Sequence, residues 1–396
     1  MPIKNRYADL HAEITAWRHD FHSHPELLFE LHRTAARVAE LLREFGCDEV
    51  VEGIGKTGVV GVINGKTNIS QRVIGLRADM DALPINETTG LPYASKHEGL
   101  MHACGHDGHT SMLLGAAKYL TETRHFDGKA VLVFQPAEEG GAGGLEMCRD
   151  GLMDRFGIQE IYGMHNIPGL PVGHFAIRSG AFLASSDEFE IQVTGKGGHA
   201  ADPHKTVDTT LVAAQILIAL QTVVSRNIDP LKRVVLTVGT FNTDSAASNV
   251  IADKVTMQGT VRTLDSECRA FVEQRIKAIA QGTAIAYGAS AEVNWQPGYP
   301  VTINTETETR YAAEVARGVS DQVNDKVDPI MPAEDFSYML QERPGAYIFL
   351  GNGDSEVCHH PAYAFDDDAI PFGASWYSGM VEARMPAPDA ETTQTI

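Results

Sequence analysis

The sequence predicts an α/β domain interrupted by a smaller ferredoxin-like α+β domain, and three observations lead there. Short β-rich runs alternate with helix-length segments over residues 1–184 and again over 297–396, the pattern of a sheet layered by helices. Between 185 and 296 the order becomes strand, helix, strand, strand, helix, strand, a complete split βαβ unit that reads as an insertion. The length, 396 residues, also exceeds the roughly 250–300 residues at which single cores stop growing.

Taken in order, residues 1–45 form two helices. Leu10, Ile14, Trp17 and Phe21 recur at helical spacing, His24-Pro25 breaks the run, and Val38, Leu41, Leu42 and Phe45 continue it. Buried strands follow at 58–63, 73–76, 130–134 and 160–163, with a helix over 109–120. In the insert, alternating Phe189, Ile191 and Val193 mark a strand, and an apolar-rich helix spans 208–224. Strands at 234–241 and 255–262, a helix over 267–284 and a strand at 291–295 complete it. The first pattern then resumes with a helix near 308–315, a strand at 346–350 and a helix over 370–383, and a polar tail beyond Pro386 is expected to be disordered.

Charge narrows the functional classes. The chain carries 32 Lys+Arg against 52 Asp+Glu, a formal charge of −20, which repels phosphate backbones and anionic membranes. The insert accounts for only −2 of this, so the acidity belongs to the surrounding α/β domain. No apolar run is expected to approach the roughly 18 residues of a membrane-spanning helix, and the first residues lack the apolar core of a signal peptide, so a cytoplasmic location is expected. Five cysteines, at 47, 104, 148, 268 and 358, argue for reduced thiols over a disulfide framework. Sixteen histidines are in excess, and histidine is the commonest metal ligand.

Two glycine-rich matches carry nothing. Gly53–Gly58 fits G-x-G-x-x-G but precedes a strand, so no helix N-terminus receives a pyrophosphate, and Gly140–Gly144 lacks the lysine and hydroxyl of a phosphate loop. No G-x-S-x-G elbow occurs. The stretch Met101-His-Ala-Cys-Gly-His-Asp-Gly-His109 is different, because it places a thiol, three imidazoles and a carboxylate just before a predicted helix. Cys104 and His106 could face one metal, although a polar capping loop around a buried cysteine fits the segment equally well. Further candidates sit at strand exits: Glu138 and Glu139 after 130–134, His165 after 160–163, and Cys358-His-His360 after 346–350. The exits of parallel strands share one edge, where open α/β folds place their sites. Of two adjacent carboxylates, one can hold a metal while the other stays free to carry a proton.

The motifs Arg18-His-Asp-Phe-His-Ser-His-Pro-Glu-Leu27, Arg77-Ala-Asp-Met-Asp-Ala-Leu-Pro84, Met101–Thr110, Phe134-Gln-Pro-Ala-Glu-Glu-Gly140, Gly195-Lys-Gly-Gly-His-Ala200 and Ala333-Glu-Asp-Phe336 occur in that order. Together they resemble the metal-dependent aminoacylase/carboxypeptidase superfamily, in its N-acyl-amino-acid amidohydrolase branch, which includes hippurate hydrolases and plant auxin-conjugate hydrolases. The resemblance runs from about residue 14 to 382. It implies a zinc-peptidase-like, di-metal catalytic domain with an inserted ferredoxin-like lid and dimerisation domain, two divalent ions per subunit (Zn, Mn, Co or Ni), and a homodimer or homotetramer.

The resemblance also implies roles. Cys104 would bridge two metals; His106, Glu139, His165 and His360 would complete the ligands; Glu138 would be the general base. Asp79 would stand behind the site and orient a ligand. His199 would polarise the scissile carbonyl, often in the partner subunit's site, and Asn249 and Arg262 would hold the substrate carboxylate. The implied reaction is hydrolysis of an N-acyl-L-amino acid, hippurate-like or N-acetylated, to a carboxylate and a free amino acid. The alternatives are a dipeptidase or aminopeptidase of the same superfamily, and a noncatalytic metal- or ligand-binding protein.

Overall fold

A computed structural model describes residues 5–388, and they fold as two compact units. One comprises the described chain up to Gly180, Ile303–Asp328 and the described chain from Asp335; the other comprises Ala181–Thr302 and Pro329–Glu334. The divisions fall a few residues outside the expected 185 and 296. The reason is a short pairing: Leu183 bridges Ile330, Ile330 N–H donates to Phe182 O, and Ala184 N–H donates to Pro332 O, which draws 329–334 into the inserted unit.

In the first unit, four strands run parallel in the order Lys129–Gln135, Val73–Asp79, Glu160–Ile167, Gly345–Gly351. Gly58–Asn64 and then Glu49–Ile54 extend one side in antiparallel fashion, and the two-residue strands Phe175–Ala176 and Val323–Asn324 extend the other. Glu49–Ile54 had no sequence signal, because it is an edge strand with little buried on either face. The four parallel strands are apolar runs because both faces of the sheet are covered. Across them lies the helix His106–Thr123, in turn contacted by Asn5–Ser23, His32–Phe45 and Ile370–Arg384. It is buried on nearly every side, with Met112, Leu113, Leu114, Ala116, Ala117 and Leu120 in the core and the polar residues of its first turns buried at the sheet's edge. At Gly115 a Cβ would come within 2.6 Å of Ile14 Cδ1, so glycine sets how closely the first helix approaches.

The inserted unit forms one antiparallel sheet in the order Val234–Thr243, Lys254–Thr263, Ser185–Thr194, Ser290–Pro297. Its two helices, Thr209–Thr222 and Ser266–Ala286, give the ferredoxin-like arrangement. Both start where the sequence supplies a cap: Asp208 accepts from Thr210 N and Leu211 N, and Asp265 accepts from Cys268 N. Buried Asp187 receives Arg269 in a two-pronged ion pair at 2.6 and 2.8 Å, tying helix to sheet.

One expectation needs correction here. Together with the π-helical turn that follows it, the first of these helices makes a 19-residue segment, Thr209–Asn227, that is long and apolar enough to cross a membrane by length and composition. Its inner residues Val212, Ala213, Ile216, Leu220 and Val223 pack in the core of the inserted unit, while Leu211, Ile218 and Val224 are exposed. Threonine and glutamine interrupt its apolar residues without lowering its mean hydropathy much, so no unbroken apolar run marks the segment.

Candidate metal centre

The carboxyl ends of the parallel strands converge in the first unit. Val73–Asp79 ends in Asp79 and leads to Asp81, Lys129–Gln135 leads to Glu138 and Glu139, and Glu160–Ile167 carries His165. The loop after Gly345–Gly351 brings in Cys358 and His359, and the helix start at His106 adds Cys104. Ligand atoms of Cys104, His106 and His165 lie within 4.8 Å of one another, as do those of Cys104, Glu139 and His359, and those of His106, Glu138 and Glu139. The groups share members, with Cys104 common to two and His106 to two.

Hydrogen bonds fix which atoms face the centre. His106 Nδ1 donates to Asp81 O at 2.8 Å, so in the neutral ring Nε2 carries the lone pair. That Nε2 is buried and has no hydrogen-bond partner among the described residues. Its neighbours are carboxylate oxygens, Asp79 Oδ2 at 3.8 Å and Glu139 Oε1 at 3.9 Å, too far for a hydrogen bond. His165 Nδ1 donates to Asn166 O, turning Nε2 toward Cys104 Sγ at 3.4 Å. His359 Nε2 lies 3.2 Å from Glu139 Oε1. A nitrogen lone pair aimed at carboxylates is repulsive unless a positive charge, a proton or a metal ion, lies between them. The donor set, thiol, imidazoles and carboxylates, is the one that zinc and its neighbours accept, so the residues present fit divalent ions.

The electrostatics agree. Burial pulls His106 down, but Asp79 and Asp81 outweigh it and push it up to about 10, the mark of a strongly negative enclosure. Burial raises Asp79, yet His106 and then Arg77, at 2.6 Å, hold it well below the carboxylate range. Glu139 is lowered in spite of burial, chiefly by its hydrogen bond to His359. Cys104 and Cys358 hydrogen-bond to one another, which raises the Cys104 thiol and lowers Cys358 to about 6.

Three residues without an expected role prove structural to the site. Asp81 accepts from Glu138 N at 2.9 Å and Glu139 N at 3.0 Å, clamping the turn that displays both glutamates. His109 is the residue on Asp79, the carboxylate expected to orient a ligand. Its Nε2 accepts from Asn166 N–H at 2.9 Å, so Nδ1 must carry the proton and donates to Asp79 Oδ1 at 2.6 Å. Cys358 is the third. The motif Arg77–Pro84 already contained Asp81, and the histidine run contained His109, but which backbone group each meets is set across distant strands.

His360, expected as a ligand, is in none of the candidate groups, and its Nδ1 accepts from Ala362 N. The preceding His359, equally exposed and turned by a φ of +69°, is the one on Glu139. His199, Asn249 and Arg262 lie in the inserted unit. There Ala200 N donates to Asn249 O and the short strands Gly198–His199 and Val250–Ile251 pair, bringing exposed His199 beside Asn249. His199 Nδ1 accepts from Ala201 N, leaving Nε2 as the outward donor. Arg262 is half-buried on Lys254–Thr263, with its guanidinium on Thr260 Oγ1 and Val261 O.

Comparison with known proteins gives the same picture. The chain is 44% identical over 374 residues to the hippurate hydrolase of Campylobacter jejuni, covering 94% of this chain and 96% of that one. It is 43% identical to the N-acetyl-L-cysteine deacetylase of Bacillus subtilis, covering 91% and 85%. It is also 38% identical to thermostable carboxypeptidase 2 of Saccharolobus solfataricus, covering 94% and 95%. Among solved structures, a Bacillus subtilis protein described as a dinuclear metal binding peptidase from the M20 family superposes with a TM-score of 0.84 at 34% identity, covering 96% of this chain and all of that one. The family model for peptidase family M20/M25/M40 matches residues 75–383, a span that contains every residue of the cluster, and the chain belongs to that family.

Proposed function

We propose that this protein is a two-metal amidohydrolase that cleaves the amide bond of N-acyl-L-amino acids, hippurate-like or N-acetylated, to a carboxylate and a free amino acid. The observation that carries the reading is the buried, partnerless Nε2 of His106 facing carboxylates, beside a thiol common to two ligand groups. The relatives' activities support the substrate class. Cys104 would be shared between two ions, with His106, His165, Glu139 and His359 completing the set; zinc, manganese, cobalt or nickel suit such donors. When bound, the ions would polarise the scissile carbonyl and make a water acidic near neutral pH.

The protein's own groups do the rest. With Glu139 as the carboxylate that would hold the ions, Glu138 takes the proton of the attacking water. The tetrahedral centre collapses as Glu138 returns that proton to the amide nitrogen, which leaves as the amine. Asp81 fixes Glu138 for both transfers by holding its backbone. His199 donates from Nε2 to the oxygen on which negative charge develops, an effect worth about 2.7–4 kcal/mol for a well-placed donor. Asn249, alongside it, and Arg262 bind the substrate carboxylate. The enzyme acts in the cytoplasm as a homodimer or homotetramer built through the inserted unit.

The test separates the two glutamates. Glu138→Gln retains both metals by elemental analysis but loses hydrolysis of hippurate and N-acetyl amino acids by at least 100-fold, whereas Glu139→Ala loses metal. Equal metal loss in both variants overturns the assignment. The carboxypeptidase relative keeps a peptidase reading in view; preference for free-amine dipeptides over N-acyl substrates in the same assay would favour it.

A further inference from the structure

Cys358 belongs to none of the ligand groups, and yet it meets the thiol that would hold the ions. His359 N–H donates to Ala103 O at 2.7 Å, a bond that sets the residue before His359 across from the residue after Ala103. Those residues are Cys358 and Cys104, near enough for each thiol to shift the other's ionisation. Cys104 is buried at the centre; Cys358 is only partly buried, on the loop that closes over it. Cys47, Cys148 and Cys268 are free thiols as well.

We infer that Cys104 and Cys358 form a reversible oxidation site, in which a hydroperoxide converts the two thiols into a disulfide and so removes Cys104 from the ligand set. The chemistry balances with hydrogen peroxide as oxidant. The more accessible Cys358 sulfur attacks one peroxide oxygen, the O–O bond breaks, and a sulfenic acid and one water result. Cys104 sulfur then attacks the Cys358 sulfur, the S–O bond breaks, and the hydroxyl leaves as a second water, taking the Cys104 proton where that thiol is free and a solvent proton where Cys104 holds the ions as a thiolate. Two thiols are oxidised and one peroxide is reduced to two waters. A sulfur bonded to sulfur no longer supplies a thiolate, so the ions lose the ligand that joins them. A dithiol reductant reverses the bond by exchange and restores the ligand. Cys358 thus protects Cys104 from the irreversible higher oxides by trapping it at the disulfide stage.

This inference rests on the metal reading above for its consequence, though not for the bond itself. The experiment treats the metal-loaded protein with hydrogen peroxide, then counts thiols, maps peptides without reduction, and measures released metal. Two of the five thiols should disappear, peptides containing Cys104 and Cys358 should be found joined, and metal should leave in step; dithiothreitol should return both thiols and metal binding. Cys358→Ser should retain metal at least tenfold longer under the same peroxide and give no joined peptide. Absence of the joined peptide from the wild type overturns the proposal, as does metal release from Cys358→Ser that is equally fast and equally reversible. A joined peptide in a protein that never bound metal would instead overturn the metal reading and leave the disulfide standing.

Discussion

Asp81 offers the sharpest probe of how the site is built. Its carboxylate is 1% exposed and accepts two backbone N–H groups, from Glu138 and Glu139, while its own carbonyl accepts from His106. In Asp81→Asn the shape and the carbonyl are preserved. One amide oxygen can still accept, but the amide nitrogen must face the second N–H, donor against donor. The substitution therefore loses one charge-assisted bond, roughly 1.5–3 kcal/mol, and strands a buried donor at roughly 1–3 kcal/mol. These overlap, so the expected destabilisation is about 3–5 kcal/mol, unless the turn relaxes and lets Glu138 and Glu139 move. Urea unfolding measures the first outcome, and metal titration against a competing chelator measures the second, for which a loss of roughly 10–100-fold in affinity is expected. Stability within about 0.5 kcal/mol of wild type together with unchanged metal affinity would refute the clamp.

Three further outcomes follow from the same geometry. His359→Ala should lose metal while His360→Ala keeps it, by elemental analysis after dialysis, and the reverse would restore the expected ligand. Gly105→Ala forces a Cβ to within 2.3 Å of Asn166 Nδ2 and 2.4 Å of Tyr363 OH at a φ of +89°, displacing the Asn166 side chain that holds Cys104 O. The left-handed backbone alone costs about 1–2 kcal/mol, so a loss of unfolding free energy in urea smaller than that would contradict the packing. His22, buried under this loop, is drawn down by burial but pushed up to about 9 by Asp107 at 2.8 Å and by Glu87. Because the folded value lies above the ordinary 6.5, its contribution, on the order of 3 kcal/mol, is complete below pH 6.5 and is lost as pH rises through 9. Unfolding free energy measured from pH 6 to 10 should fall across that window in the wild type and stay flatter in His22→Gln.

The site was legible in the sequence to the extent that its residues sit in short, dense motifs. Cys104 and His106 flank one glycine, Glu138 and Glu139 follow a buried strand, and His165 ends another, so spacing and strand exits sufficed to nominate them. Cys358-His-His360 shows where that stops. In an irregular loop no periodicity says which of two adjacent histidines reaches Glu139, and a single left-handed residue decides it. The edge strand Glu49–Ile54 carries no clean apolar pattern, and the helix expected over 208–224 is longer and more apolar as a whole than its interrupted apolar residues suggest.

The sequence by itself determined the α/β class, because burial on two faces demands near-continuous apolar strands, and the ferredoxin-like order of the insert, because strand and helix periods differ. It also determined the chemical types of the ligands. The tertiary structure decided what those ligands do. The lone pair of His106 is committed by a carbonyl twenty-five residues earlier, the proton of His109 by the backbone of Asn166, and the turn bearing the glutamates by Asp81. Cys104 meets Cys358 only because one backbone hydrogen bond joins their loops. Hydrogen bonds between segments remote in sequence leave no local period to read, and they set the direction of side chains, which in turn decides where a cation fits.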